Sequence, residues 1–236
     1  DYEEEDNNDW LASNQFTVVE NNVEKRPDIV IFLNGIPLVV IELKSFIEEN
    51  IGITEGYNQL QTYKEYISSL FIYNSFLISS DGINARVGTL TSNEDRFMLW
   101  RTIDDQHIES ISRPQLEVLI KGMMEKRKFL DIIRHFILYQ SDGSELNKIL
   151  AGYHQYHATN KAFLSTLRAI EEKDDHKIGV IWHTQGSGKS LSMVFYAGKL
   201  VLGLDNPTIV VVTDRNDLDN QLFSTFSKSK DLLRQI

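Results

Sequence analysis

The chain has 236 residues, 42% hydrophobic and 25% charged, with a formal net charge of −10 at pH 7 and no cysteine. These values suit one large or two small globular domains with real cores. They exclude structural disulfides and thiolate metal centres, and they permit a reducing, cytoplasmic setting. No apolar run approaches the roughly 20 residues of a membrane-spanning helix, and no signal peptide is visible; with a start at Asp1 rather than Met, a true N-terminus upstream is left open. Charge is uneven, because residues 1–20 hold seven acids and no Lys or Arg, leaving the remainder at only −3. A nucleic-acid face would therefore need local clustering of basic residues. Lys121, Lys126, Arg127 and Lys128 form the clearest cluster, read first as a solvated helix face.

In chain order, Phe16–Glu20 alternates weakly and suggests a strand. The β-branched runs Asp28–Leu33 and Ile36–Leu43 flank Asn34-Gly35, a strong hairpin signal. Ile53–Leu70 has helical spacing, with Tyr57, Leu60, Tyr63 and Ile67 on one stripe. Phe76–Ser80 and Ile83–Gly88 flank Asp81-Gly82, a second hairpin signal. Asn93–Arg101 reads as helical or irregular, and helices are expected at Gln115–Met124 and Phe129–Tyr139. The polar break Ser141-Asp142-Gly143-Ser144 follows. From residue 146 the pattern predicts helix 158–171, strand 178–182, helix 190–202, strand 208–213 and helix 217–227, the alternation of a parallel α/β sheet.

Two stretches carry chemistry. Residues 179–190 read Gly-Val-Ile-Trp-His-Thr-Gln-Gly-Ser-Gly-Lys-Ser, an apolar run, then a glycine-rich turn, then a helical pattern. Gly186 and Gly188 let the backbone curl so that successive N–H groups face inward toward phosphate. A helix beginning at Lys189 adds its positive dipole end. Lys189 would reach the β/γ-phosphates of a nucleotide and the Ser190 hydroxyl would ligate Mg²⁺. His183 stands where the fullest form of the motif has glycine, which leaves the tighter form from Thr184, through Ser187, to Ser190.

The second stretch is the first hairpin. Pro27-Asp28 opens one strand, and Glu42-Leu43-Lys44 ends the other. Glu42 and Lys44 are two apart on a strand and leave the same face. Ile36–Ile41 is almost wholly apolar, as in a strand buried on both sides, so charges at its end need a reason. Asp28 and Glu42 could hold Mg²⁺ through hard oxygen ligands, with Lys44 orienting the attacking water and stabilising the charged transition state. Gln59 and Tyr63 follow at i and i+4 of a helix, on one face. A plain two-residue turn would pair residue 28 with 41 and turn Asp28 away from Glu42. The metal-site reading thus requires a one-residue offset near Gly35–Pro37.

Together these residues resemble, in order, the restriction (motor) subunit of type I restriction–modification enzymes. The stretches that carry the resemblance are Pro27-Asp28, residues 33–44, Gln59-x-x-x-Tyr63, residues 179–190 and residues 210–221. The resemblance implies an α/β architecture in which a RecB-like PD-(D/E)xK nuclease domain, a mixed sheet flanked by helices, precedes the start of a RecA-like, parallel-sheet superfamily 2 helicase lobe. Expected boundaries are a nuclease domain at 1–115, a helical linker at 116–150 and a partial motor lobe at 151–236. By resemblance, Asp28 and Glu42 are metal-binding acids, Lys44 the catalytic lysine, and Gln59 and Tyr63 supporting site residues. Thr184, Gly186, Ser187, Gly188, Lys189 and Ser190 form the ATP loop, Gln155 reads the adenine edge, and Thr213-Asp214-Arg215 matches helicase motif Ia.

The implied activity is Mg²⁺-dependent cleavage of double-stranded DNA coupled to ATP-driven translocation. Methyltransferase (modification) and specificity subunits are the implied partners, and no membrane is. No Asp-Glu-x-His segment follows Lys189, so the chain is expected to be a fragment that does not hydrolyse ATP. Two other readings remain open: a DNA-repair helicase–nuclease of the same two-module design, and a degenerate nuclease domain acting as a DNA-binding or docking module.

Overall fold

The computed structural model describes residues 1–45, 51–143, 145–171, 176–205, 207–214 and 216–229. Backbone contacts divide it into two units, Asp1–Arg134 and His135–Ile236. The first unit contains β1 (Trp10–Asn14), β2 (Val18–Glu20), β3 (Val23–Lys25), β4 (Ile29–Leu33), β5 (Ile36–Leu43), α1 (Ile51–Tyr66), β6 (Phe76–Ser80), β7 (Ala85–Gly88), α2 (Gln115–Met123) and most of α3 (Lys126–His135). Its main sheet has the order β1-β4-β5-β6-β7. The β5–β6 pair is parallel and the other pairs are antiparallel, so the sheet is mixed.

The β4–β5 hairpin turns on Asn34 and Gly35, at φ 52° and 77°. Two successive left-handed residues match the twist of a two-residue hairpin, which is why Asn-Gly occurs there. Leu33 pairs with Ile36 and Phe32 with Pro37, but Ile31 pairs with Val39. Leu38 is therefore an extra residue on β5, and the expected offset is present. Val39, Val40, Ile41 and Glu42 are all buried. A strand buried on both faces carries a continuous apolar run rather than an alternating one.

One face of the sheet packs Val30, Phe32, Val40 and Leu77 against Leu60, Tyr63 and Ile67 of α1 and its sequel. The 3.6-residue period of α1 puts these apolar side chains on one stripe. On the other side Phe129 of α3 meets Trp10 and Phe76 edge-on, with centroids 5.6 Å and 5.7 Å apart. The second hairpin signal holds in part: Ser80 pairs with Ala85, so the loop is the four residues Asp81–Asn84 rather than Asp81-Gly82 alone. The Asp81 carboxylate accepts from the N–H groups of Ile83 and Asn84 and closes that loop.

The second unit departs from expectation. It contains β8 (Ile137–Asp142), β9 (Glu145–Leu150), α4 (Tyr153–Glu171), α5 (Lys189–Gly203) and α6 (Asn216–Ser227). The stretch 116–150, expected to be a helical linker, is helical only to His135. Residues 137–139, expected to continue a helix, enter the β8–β9 hairpin, in which Ser141 and Asp142 of the polar break pair with Leu146 and Glu145. A short apolar run does not by its period distinguish helix from strand, and here the cross-strand partner Leu146–Leu150 decides.

The expected parallel sheet is also not formed among the described residues, since 178–182 and 208–213 have no ladder partner. Val180 is 94% exposed and Val212 87%. A parallel strand closes no hydrogen bonds within itself, so strand-like composition yields a strand only where neighbours exist on the sheet.

Candidate functional site

The offset at Leu38 has a direct chemical result. Ile29 pairs with Ile41, so Asp28, one residue beyond the strand, comes level with Glu42. The N–H of Leu43 donates to Asp28 Oδ2 at 2.8 Å, which locks the acid to the end of β5. Lys44 Nζ donates to Glu42 Oε1 at 2.6 Å, with the glutamate side chain only 4% exposed. Asp28, Glu42 and Lys44 thus meet at one end of the β4–β5 pair.

A residue that the sequence reading passed over also joins them. Gln15 Nε2 donates to Asp28 Oδ1 at 2.6 Å. No local pattern pointed to it, because β1 and β4 become neighbours only in the sheet.

α1 covers this corner. Gly56 makes the close approach possible, since a Cβ there would lie 2.3 Å from Ser79 Oγ and 3.8 Å from the Glu42 carbonyl. Ser79 in turn donates to the Ile53 carbonyl at 2.8 Å and pins the helix. Two turns further on, Tyr63 is buried, and its phenol is held well above its ordinary pKa by burial first and by the charge of Glu42 second. Gln59 lies close enough to oppose that shift through its own hydrogen bond. Gln59 and Tyr63 therefore share the Glu42 corner. Glu42 is itself raised above the usual carboxylate range, by burial first, against the lowering contact with Lys44, and with the Asp28 charge adding to the rise.

Glu42 Oε2 is buried without a hydrogen-bond partner. A buried carboxylate oxygen in that state is costly unless a cation or donor satisfies it. Among the described residues no group of three or more His, Cys, Asp or Glu side chains clusters as a metal cage. Two carboxylates suffice for Mg²⁺, which keeps several waters and takes its remaining ligands from substrate phosphate. The residues present fit such an ion.

The second constellation is built locally. Gly186 and Gly188 lie at φ 80° and 76°, and α5 begins at Lys189. Lys189 Nζ donates to the carbonyls of His183 and Thr184, at 3.2 Å and 2.9 Å, and so spans its own loop. His154 and Gln155, at the start of α4, brace the loop. His154 Nε2 lies 2.9 Å from the Ser187 carbonyl, and Gln155 Nε2 donates to the Gly188 carbonyl at 3.1 Å. Gln155 Oε1 accepts from the Gly152 N–H, so both ends of this buried amide are engaged within the unit. Ser187 Oγ is buried without a partner, and Ser190 stands in the first turn of α5. Thr213 and Asp214 are described, whereas Arg215 lies outside the described residues.

The basic cluster is largely a solvated face, with the Lys121, Lys126 and Arg127 side chains 49–82% exposed, and each member faces an acid. Lys121 contacts Glu117 at 2.7 Å, Lys126 contacts Asp6 at 4.0 Å, Arg127 contacts Glu5 at 3.0 Å and Lys128 contacts Asp105 at 3.5 Å. No helix among the described residues is long and apolar enough to cross a membrane.

Comparison with known proteins accords with this division. Residues 1–96 match the family model described as type I restriction enzyme R protein N terminus, and residues 154–235 match that of SWI2/SNF2 ATPase. The chain is 49% identical to the type I restriction enzyme HindI endonuclease subunit of Haemophilus influenzae, over 100% of this chain and 23% of the relative. It is 34% identical to the MjaIXP endonuclease subunit of Methanocaldococcus jannaschii, over 96% of this chain and 24% of that one. It is 28% identical to the SauCOLORF180P endonuclease subunit of Staphylococcus aureus, over 94% and 22%. The chain spans about a quarter of the length of these relatives.

Proposed function

The chain belongs to the family of type I restriction enzyme endonuclease subunits, and from that premise we propose that its first unit is a PD-(D/E)xK nuclease domain and its second the opening part of an ATP-driven DNA motor. The observation that carries the nuclease reading is the register offset at Leu38, which brings Asp28, Glu42 and Lys44 to one corner. Asp28 and Glu42 would hold Mg²⁺, which when bound polarises a phosphodiester and lowers the pKa of a water. The Lys44 ammonium, 2.6 Å from Glu42, orients that water and offsets the negative charge that grows on the phosphate oxygens. Tyr63 would steady the Glu42 carboxyl from the helix side, with Gln59 beside Tyr63.

In the second unit, Thr184 to Ser190 would cradle the phosphates of ATP. Lys189, now on the carbonyls of His183 and Thr184, would hold the β/γ-phosphates, and the Ser190 hydroxyl would ligate the accompanying Mg²⁺. Gln155 holds the loop through Gly188, and to read the adenine its amide would have to exchange its bonds to Gly152 and Gly188 for the base. Double-stranded DNA is the proposed substrate, modification and specificity subunits the proposed partners, and the cytoplasm the proposed site of action.

The test uses an intact assembly carrying this chain. Lys44→Ala is expected to abolish DNA cleavage in Mg²⁺ and ATP while ATP hydrolysis persists. Cleavage that survives the substitution overturns the nuclease reading.

A further inference from the structure

Gln15 follows directly on β1 with its backbone in the left-handed region, at φ 50°. Every other described non-glycine residue with positive φ is Asn, Asp or His, the types that enter this region most readily. Glutamine gains no such local compensation, so something else must hold it there. Two contacts do so, both to one residue. The Gln15 N–H donates to the Asp28 carbonyl at 2.8 Å, and its side-chain Nε2 donates to Asp28 Oδ1 at 2.6 Å. The other oxygen, Oδ2, accepts from the Leu43 N–H at 2.8 Å. Each carboxylate oxygen then has one donor and keeps lone-pair capacity for a cation. With a donor on each side, the carboxyl plane cannot turn freely.

We propose that Gln15 is a positioning residue of the metal site, holding the Asp28 carboxylate in the orientation that presents it, with Glu42, to one divalent cation. The inference rests on the nuclease reading and extends it to a strand outside the motif. Partners of this kind behind metal ligands typically change metal affinity 10- to 100-fold when removed.

The test is Mn²⁺ titration of the 236-residue chain without nucleotide, read by electron paramagnetic resonance, with thermal unfolding measured in parallel. Gln15→Gly suits the left-handed backbone and lacks the amide. It is expected to unfold no earlier than the parent yet bind Mn²⁺ about 10- to 100-fold more weakly. Gln15→Asn also accepts the backbone, and its side chain is one carbon too short, so the same loss is expected. Asp28→Ala is expected to lose the site. Parental Mn²⁺ affinity in both Gln15 variants, with loss in Asp28→Ala, overturns the role of Gln15 and leaves the nuclease reading standing. Unchanged affinity in Asp28→Ala overturns the metal site itself and Gln15 with it.

Discussion

The two candidate sites are assembled in opposite ways. In the first unit, the acids at 28 and 42 come together only because β4 and β5 pair with one extra residue at Leu38, and because β1 and α1 close over them. In the second, the loop from Thr184 to Lys189 forms by backbone conformation at two glycines and the start of one helix. That loop stands although the flanking segments 178–182 and 208–213 pair with nothing described. A carboxylate pair is a product of register, and register is a property of a sheet. An anion cradle is a product of local φ and ψ, which a dozen residues can specify.

The sharpest way to break this comparison is to disable each site separately in an intact assembly. Lys189→Ala is expected to remove ATP hydrolysis and, with it, cleavage, by about 10²-fold or more. Asp28→Ala and Glu42→Ala are expected to remove cleavage to the same extent and leave ATP hydrolysis near the parental rate. Steady-state ATPase and plasmid-cleavage assays read both, and a matching fall of ATPase in the acid variants would mean the units are not separable.

Stability should separate the units next. Phe76 is fully buried between the sheet and Phe129, so Phe76→Ala is expected to cost about 3–5 kcal/mol in denaturant unfolding. Gly56→Ala places a Cβ 2.3 Å from Ser79 Oγ, and a cost of about 1–3 kcal/mol is expected as α1 lifts from the site.

A pH-dependent difference is expected at Glu42. Its pKa is raised from 4.5, chiefly by burial. The folded chain therefore binds this proton more tightly than the unfolded chain. The resulting stability is fully present below about pH 4.5 and is lost as pH rises through the raised value. Glu42→Gln, neutral throughout, is expected to melt above the parent at neutral pH and to lose that advantage in acid. Calorimetry at both pH values checks the sign. The smallest effect belongs to the second unit: Val212→Ser, at a side chain 87% exposed, is expected to change unfolding free energy by under about 0.5 kcal/mol. A larger loss would show that this segment is packed in solution.

Much of this was legible in the chain itself. The Asn34-Gly35 turn, the apolar run of β5, the stripe of α1 and the glycine-lysine loop are local patterns, set by dihedral preference and side-chain period, and each appears where those patterns put it. The glycine-lysine loop needed little more than these, beyond the bracing of its carbonyls by His154 and Gln155. Other features were decided by the tertiary structure alone. Residues 137–139 became a strand because Leu146–Leu150 lay alongside. The apolar segments 178–182 and 208–213 did not become strands, because parallel pairing requires neighbours that composition cannot supply. Gln15 reached Asp28 because β1 took the edge position beside β4. The sequence specified where backbone could bend and which faces were apolar; which distant strands became neighbours depended on packing across the whole sheet, and the acid site exists only at that level.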